Sequence, residues 1–169
     1  IDYLASGRYF DGNENSRENF CRALRELSGC PFFSAIHPKV LLEEAARCSG
    51  QIESFVQSIV RQRPKQFFTP DEVVQKIKAS SLPDSAKSSL AANLWRASVA
   101  AICYEKIRCH AVHGPGRTIK LTFPETAYNG LVVMAVDFNL LYGALRAIFH
   151  EVEVLSLQTG EWFGNPRYI

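Results

Sequence analysis

Arg108 and His113 are separated by four residues, and their side chains suit phosphodiester chemistry. An arginine is permanently charged, and its planar guanidinium can bind two phosphate oxygens at once. A histidine changes its charge near neutral pH and can move a proton. The imidazole of His113 could take a proton from a ribose 2′-hydroxyl or give one to the leaving oxygen, while Arg108 stabilises the extra charge on the phosphate. Such a reaction needs no metal ion and is restricted to RNA.

The spacing of this pair constrains how it could act. Two residues five positions apart on an ideal α-helix point about 140° away from each other. Arg108 and His113 therefore cannot reach one atom from a regular helix. The sequence Gly114-Pro115-Gly116 follows directly and would allow the last turn to unwind. The alternative is a two-fold dimer in which two copies of the pair meet in one cleft.

The elements that must position the pair are predicted to be helices, because apolar residues recur at helical spacing. The predicted helices are 16–28, followed by Gly29; 39–63, interrupted near Ser49-Gly50; and 70–80, with a capping box that begins at Thr69. A long helix is predicted over 84–113, since this stretch contains no Gly or Pro. A stripe along it consists of Leu90, Leu94, Ala97, Ala101, Tyr104, Arg108 and Ala111.

After the Gly-Pro-Gly sequence, residues 117–123 alternate apolar and polar side chains, which predicts a short strand or extended arm. A final helix is predicted from Asn129 to Leu157. The fold class that follows is all-α, a bundle of four or five helices with a short strand near 117–123. A length of 169 residues predicts one domain with a core of its own.

Composition indicates a globular protein that acts in the cytoplasm. Hydrophobic residues make up 47% and charged residues 21% of the chain, and no apolar run approaches the roughly 20 residues that cross a bilayer. The first residues do not have the pattern of a signal peptide. Five cysteines form an odd set without a Cys-x-x-Cys pair, which predicts reduced and mostly buried thiols.

The basic residues are concentrated in the middle of the chain. Between Ser54 and Pro124 there are eleven Lys or Arg and four acidic residues, which gives a net charge of +7, whereas the remainder carries −5. A cationic face of this kind could bind a polyanion. It is also typical of an ordinary solvated surface.

The sequence around Arg108 and His113 resembles the HEPN superfamily of small helical proteins. The family signature is an Arg, four to six residues, and then a His at the end of a long helix, and here it reads Arg108-Cys109-His110-Ala111-Val112-His113. The aromatic Tyr104 before the Arg and Gly114 after the His are also similar to family members. The resemblance covers about residues 39–157.

The resemblance implies an RNA-cleaving enzyme, and many family members are toxins or antiviral effectors. It implies that Arg108 and His113 are the catalytic pair and that both subunits of a homodimer contribute to the site. Attack by the 2′-hydroxyl would leave cyclic phosphate ends, without a cofactor or metal, and an antitoxin or other partner could control the enzyme. The residues expected to contact substrate are Lys106, Cys109, His110, Arg117 and Lys120. Cys109 stands where the family commonly has a polar residue that positions substrate.

Non-catalytic interpretations of the same residues remain open. Arg108 could form a helical ion pair with Glu105, and His113 could cap the last carbonyls of the helix. The protein would then be a helical dimerisation module, or a module that binds RNA or a nucleotide without cutting it. A zinc site built from Cys103, Cys109, His110 and His113 is disfavoured, since neighbouring residues diverge on a helix and one tetrahedral ion would require severe unwinding.

Overall fold

The computed structural model describes residues 16–108 and 121–159, which divide into two compact units. One unit contains residues 16–31 and 136–159, and the other contains residues 32–108 and 121–135. The described chain is mostly helical with one small antiparallel sheet. This confirms the predicted all-α class with a short strand.

The elements are named in chain order. The helices are α1 (Ser16–Glu26), α2 (Pro38–Ala45), α3 (Gly50–Gln62), α4 (Pro70–Ala79), α5 (Asp84–Asn93), α6 (Val99–Cys103) and α7 (Phe138–Thr159). Two 3-10 turns span Pro31–Ser34 and Leu94–Ala97, and a π turn spans Tyr104–Arg108. The strands are β1 (Leu121–Tyr128) and β2 (Leu131–Val136).

The first unit contains α1 and α7, which contact each other. Helix α1 buries Cys21 and Leu24 completely, and α7 buries Ile148. After α1 the backbone of Gly29 adopts a φ of 65°, a left-handed conformation that glycine takes without a steric penalty. The predicted first helix is therefore present, and it ends at Glu26, two residues earlier than predicted.

Local capping signals define several helices of the second unit. Predicted helix 39–63 is two helices, α2 and α3, with the break before Gly50. At the start of α4 the Glu72 N–H donates to Thr69 Oγ1 at 3.2 Å, and the Thr69 N–H donates to Glu72 Oε2 at 2.9 Å. The Thr69 backbone N–H and the Arg63 guanidinium hold the pKa of Glu72 below its usual value. The predicted capping box is therefore present.

The core of the second unit is built from apolar side chains of α2 to α5, of the segments between them, and of the segments just before α2 and just after α5. Its buried residues are Ile36, Leu41, Ala45, Ile52, Val56, Ile59, Val60, Phe68, Val73, Ile77, Leu82, Leu90, Leu94 and Ala97. Burial of each large aliphatic side chain contributes about 1.5–3 kcal/mol. Leu90, Leu94 and Ala97 belong to the predicted inward stripe, and Ala101 and Tyr104 beyond them are also buried.

The prediction of one unbroken helix over 84–113 is wrong. Helix α5 ends at Asn93, a 3-10 turn follows, and Ser98 is extended, with φ −74° and ψ 157°, before α6 begins. The cause is long-range, because Ile36 forms an antiparallel bridge with Ser98. The Val99 N–H donates to the Ala35 carbonyl and the His37 N–H to the Ala97 carbonyl, both at 2.9 Å.

The prediction of a helix over 129–157 is wrong in its first part. Leu131–Val136 is strand β2, and the final helix begins at Phe138. Asn129 and Gly130 have φ values of 50° and 79°, and positive φ at both positions is what a tight type I′ hairpin turn requires. The described strand β1 shares residues 121–123 with the arm predicted for 117–123. Residues 117–120 lie outside the described ranges.

None of the helices in residues 16–108 and 121–159 is long and apolar enough to cross a membrane.

Candidate functional site

The candidate site lies where the helical segment that begins at Ser98 ends in a π turn. Helix α6 is five residues long, and its C-terminal cap Tyr104 continues directly into the π turn Tyr104–Arg108. A π turn replaces i→i+4 bonding with i→i+5 bonding, and such irregularities are frequent at functional sites. Arg108 therefore ends an irregular helical turn.

The turn has a buried side and an exposed side. Cys103 is completely buried and Tyr104 is 9% exposed. Glu105 and Lys106 are both exposed. The ammonium of Lys106 is therefore placed on the surface two residues before Arg108, where it can reach a bound polyanion. The predicted role of Lys106 in substrate binding is compatible with this exposure.

Only part of the predicted site lies within the described residues. Lys106 and the backbone of Arg108 lie in the same π turn. The other predicted site residues are outside the described ranges; these are Cys109, His110, His113, Arg117 and Lys120.

Some cations of the basic middle stretch are paired with nearby acids. Arg63 Nη2 lies 2.8 Å from Glu72 Oε1, and its guanidinium also lies 5.0 Å from the centre of the Phe68 ring. Lys87 Nζ lies 3.9 Å from Asp84 Oδ1. Arg63 follows α3 and contacts Glu72 at the start of α4, so its charge stabilises the packing of these two helices.

The zinc interpretation depends on residues that are mostly outside the described ranges. Cys103, which belongs to the proposed set, is buried within α6. Within residues 16–108 and 121–159, no three His, Cys, Asp or Glu side chains are grouped so that they could hold a metal ion.

The same unit also contains a cluster of aromatic rings that includes a histidine. This aromatic cluster consists of Phe32, His37, Phe67, Phe123 and Tyr128. The His37 ring centre lies 5.2 Å from that of Phe67 and 5.5 Å from that of Phe123. The cluster joins the segment before α2, the segment before α4 and strand β1.

His37 is a structural residue of this cluster. It is 4% exposed, and its Nδ1 accepts the Val40 N–H at 3.4 Å as the N-terminal cap of α2. Its buried Nε2 has no hydrogen-bond partner among the described residues. Burial, and secondly the charge of Lys39, lower the pKa of His37 from 6.5 to about 4. His37 is therefore neutral at neutral pH and enclosed by aromatic rings.

Two of these features were not anticipated from the sequence. Ser98 begins the helix that leads to Arg108, but a serine alone does not distinguish a helix interior from a cap, and its bridge to Ile36 is long-range. His37 is an isolated histidine in the sequence, without another titratable residue of a catalytic motif beside it. The Pro38 that follows it was the available signal, because proline is favoured in the first turn of a helix and a polar residue before it is a common cap.

Comparisons with protein-family models, with curated proteins and with solved structures found no match to this chain.

Proposed function

We propose that this protein is a metal-independent RNA endonuclease of HEPN type, acting in the cytoplasm as a homodimer. The observation that carries the proposal is the Arg-x4-His sequence, whose arginine ends a helical segment that starts in the core of the second unit. An exposed Lys106 in the same turn supports the binding of a polyanion. A role as a toxin or antiviral effector under the control of a partner belongs to the same proposal.

The proposed reaction uses only groups of the two side chains and the RNA. The imidazole of His113 accepts the proton of the ribose 2′-hydroxyl as its oxygen attacks phosphorus, and it then gives a proton to the departing 5′-oxygen. The bond from phosphorus to the 5′-oxygen breaks, which leaves a 2′,3′-cyclic phosphate and a 5′-hydroxyl. The guanidinium of Arg108 stabilises the additional negative charge of the pentacoordinate phosphate.

A homodimer is proposed because residues five apart would diverge on a regular helix, whereas two copies together can supply an Arg and a His to one phosphate. An exposed apolar side of α7 supports association. Tyr142 is 51% exposed and Phe149 is 47% exposed, and they are two helical turns apart on that helix. Aromatic side chains at such positions are typical of surfaces that a protein partner covers.

The test is cleavage of a mixed RNA pool by purified protein, freed from co-purifying partners at high salt, in the presence of excess EDTA. We expect the wild type to cleave, and Arg108→Ala and His113→Ala each to lose at least about 100-fold in rate while remaining dimeric. Arg47→Ala and His150→Ala are matched controls, since both residues are exposed and Arg47 lies outside α7. Retained cleavage in both site variants would refute the proposal.

A non-catalytic dimerisation module is the second candidate, and the exposed apolar side of α7 favours it. In that case Phe149→Asp would dissociate the dimer in sedimentation velocity experiments. The wild type, freed from partners, would leave the RNA pool intact. Arg108→Ala would then lower the melting temperature without changing any catalytic rate.

A further inference from the structure

The helical segment that leads to Arg108 starts at a buried serine rather than continuing from α5. Ser98 is completely buried, and its Oγ accepts the Ala101 N–H at 3.2 Å. Its own N–H donates to the Trp95 carbonyl at 3.0 Å and so ends the preceding 3-10 turn. The direction of α6 is therefore set at Ser98.

The backbone at Ser98 is held by pairing across the core of the second unit. Ile36 bridges Phe68 through its own N–H and carbonyl, at 2.9 Å and 3.0 Å. On its other edge it bridges Ser98, through the bonds between Val99 and Ala35 and between His37 and Ala97. Ile36 and Val99 are at most 1% exposed. The start of α6 is therefore anchored in backbone pairing that excludes water.

The position of Arg108 depends on the direction that the helical segment takes at Ser98. Arg108 lies ten positions after Ser98, which at helical rise is about 15 Å. A tilt of about 10° at Ser98 would move the end of the segment by about 2.6 Å on that length. A misplacement of about 1 Å can reduce a catalytic rate by about 100-fold. A small change in the direction of α6 at Ser98 therefore causes a large displacement of the backbone at Arg108.

We propose that Ser98 is a positioning residue for the RNA-cleaving site, and this inference rests on the proposed function. The hydroxyl of Ser98 caps α6, and the bridge to Ile36 aligns it, so that the π turn holds the backbone of Arg108 at a fixed place. Ser98 does not touch the substrate. Its contribution is to hold the end of the helical segment still while the phosphate is bound.

The test compares two variants that each remove a helix cap. One cap belongs to the helix that continues to Arg108, and the other belongs to a helix that does not. Ser98→Ala removes the cap of α6, and Thr69→Ala removes the cap of α4, which does not lead to Arg108. Ser98→Thr keeps a hydroxyl acceptor. Ser98→Cys keeps the size with a weak acceptor and is the milder variant should Ser98→Ala unfold. The readouts are kcat, KM, the melting temperature and amide hydrogen exchange at residues 104–108.

We expect Ser98→Ala to lower kcat at least 10-fold with KM within about 2-fold. Ser98→Cys should show a smaller loss in the same direction, and Ser98→Thr should recover most of the rate. Thr69→Ala should keep the wild-type kcat despite a similar fall in melting temperature. Equal kcat values for Ser98→Ala and Thr69→Ala would overturn the inference.

Hydrogen exchange separates this inference from the proposed function. Exchange at residues 104–108 should increase at least 10-fold in Ser98→Ala and remain unchanged in Thr69→Ala, whether or not the wild type cleaves RNA. If the wild type does not cleave, the proposed function fails, and so does the role of Ser98 in positioning the cleaving site. If exchange at 104–108 is unchanged in Ser98→Ala, Ser98 does not hold this turn, whatever the activity.

Discussion

Acidification should destabilise the protein through His37, whose imidazole caps α2 from within the aromatic cluster. The neutral ring accepts the Val40 N–H through Nδ1. Protonation would replace that acceptor by a donor and would place a positive charge among Phe32, Phe67 and Phe123, in a site that is 4% exposed to solvent. The folded protein therefore resists this protonation, and the unfolded chain does not.

The magnitude follows from the two pKa values. Burial is the main cause that lowers the pKa of His37 from 6.5 to about 4. Between these values the unfolded chain binds more protons than the folded protein, so the free energy of unfolding falls as the pH drops. The contribution is fully present above about pH 6.5, and about 2 kcal/mol of it is lost on going from about pH 7.5 to about pH 5. A loss of this size is a large part of the stability of an ordinary domain.

The assay is urea unfolding of the wild type and His37→Asn at about pH 7.5 and about pH 5, followed by circular dichroism. An asparagine keeps a side-chain oxygen that can cap α2 but does not titrate. We expect the wild type to lose about 2 kcal/mol more than His37→Asn over this range. His150→Asn is the matched control, because the His150 side chain is 71% exposed. An equal pH dependence in the wild type and His37→Asn would refute the reasoning.

Two further predictions concern local structure. Thr69→Ala should lower the free energy of unfolding by about 1 kcal/mol through loss of the capping box with Glu72, measured by urea unfolding at neutral pH, and an unchanged value would contradict the assigned cap. In the native protein, thiol labelling followed by peptide mass spectrometry should modify exposed Cys48 at least about 10-fold faster than buried Cys21 and Cys103. Comparable rates for all three in the native state, with equal rates in urea as the reference, would show that this burial is wrong.

The parts of the fold that could be predicted from the sequence depend on neighbouring residues. The capping box at Thr69 involves residues three apart, and the break before Gly50 and the end of α1 before Gly29 follow from the conformational freedom of glycine. Apolar spacing also identified the buried positions Leu90, Leu94 and Tyr104. These signals act within one or two helical turns, so they can be recognised without knowledge of the tertiary structure.

The break at Ser98 could not be predicted in this way, because its cause is 62 residues away in the sequence. Residues 84–108 contain no glycine or proline after Asp84, and local propensity therefore favours one helix. The bridges that join Ile36 to Phe68 and to Ser98 override that propensity. Only the tertiary structure brings these segments together.

The prediction of a helix at the position of strand β2 was wrong for a different reason. The run Leu131–Val136 is apolar throughout, so spacing alone does not distinguish a buried helix from a strand. The local signal that distinguishes them is Asn129-Gly130, because this dipeptide favours the positive φ values of a tight hairpin turn. The site itself was predicted from the spacing of Arg108 and His113 and from a resemblance, and its catalytic role stays a prediction.

The central claim is that this protein cuts RNA through the 2′-hydroxyl without a metal ion. The most direct measurement treats a mixed-sequence RNA oligomer and the DNA oligomer of the same sequence with the protein in excess EDTA, and identifies the product ends by mass spectrometry. The account predicts 2′,3′-cyclic phosphate and 5′-hydroxyl ends from the RNA alone, and none with His113→Ala. Cleavage of the DNA, 5′-phosphate ends, or an RNA left intact by partner-free protein would contradict it.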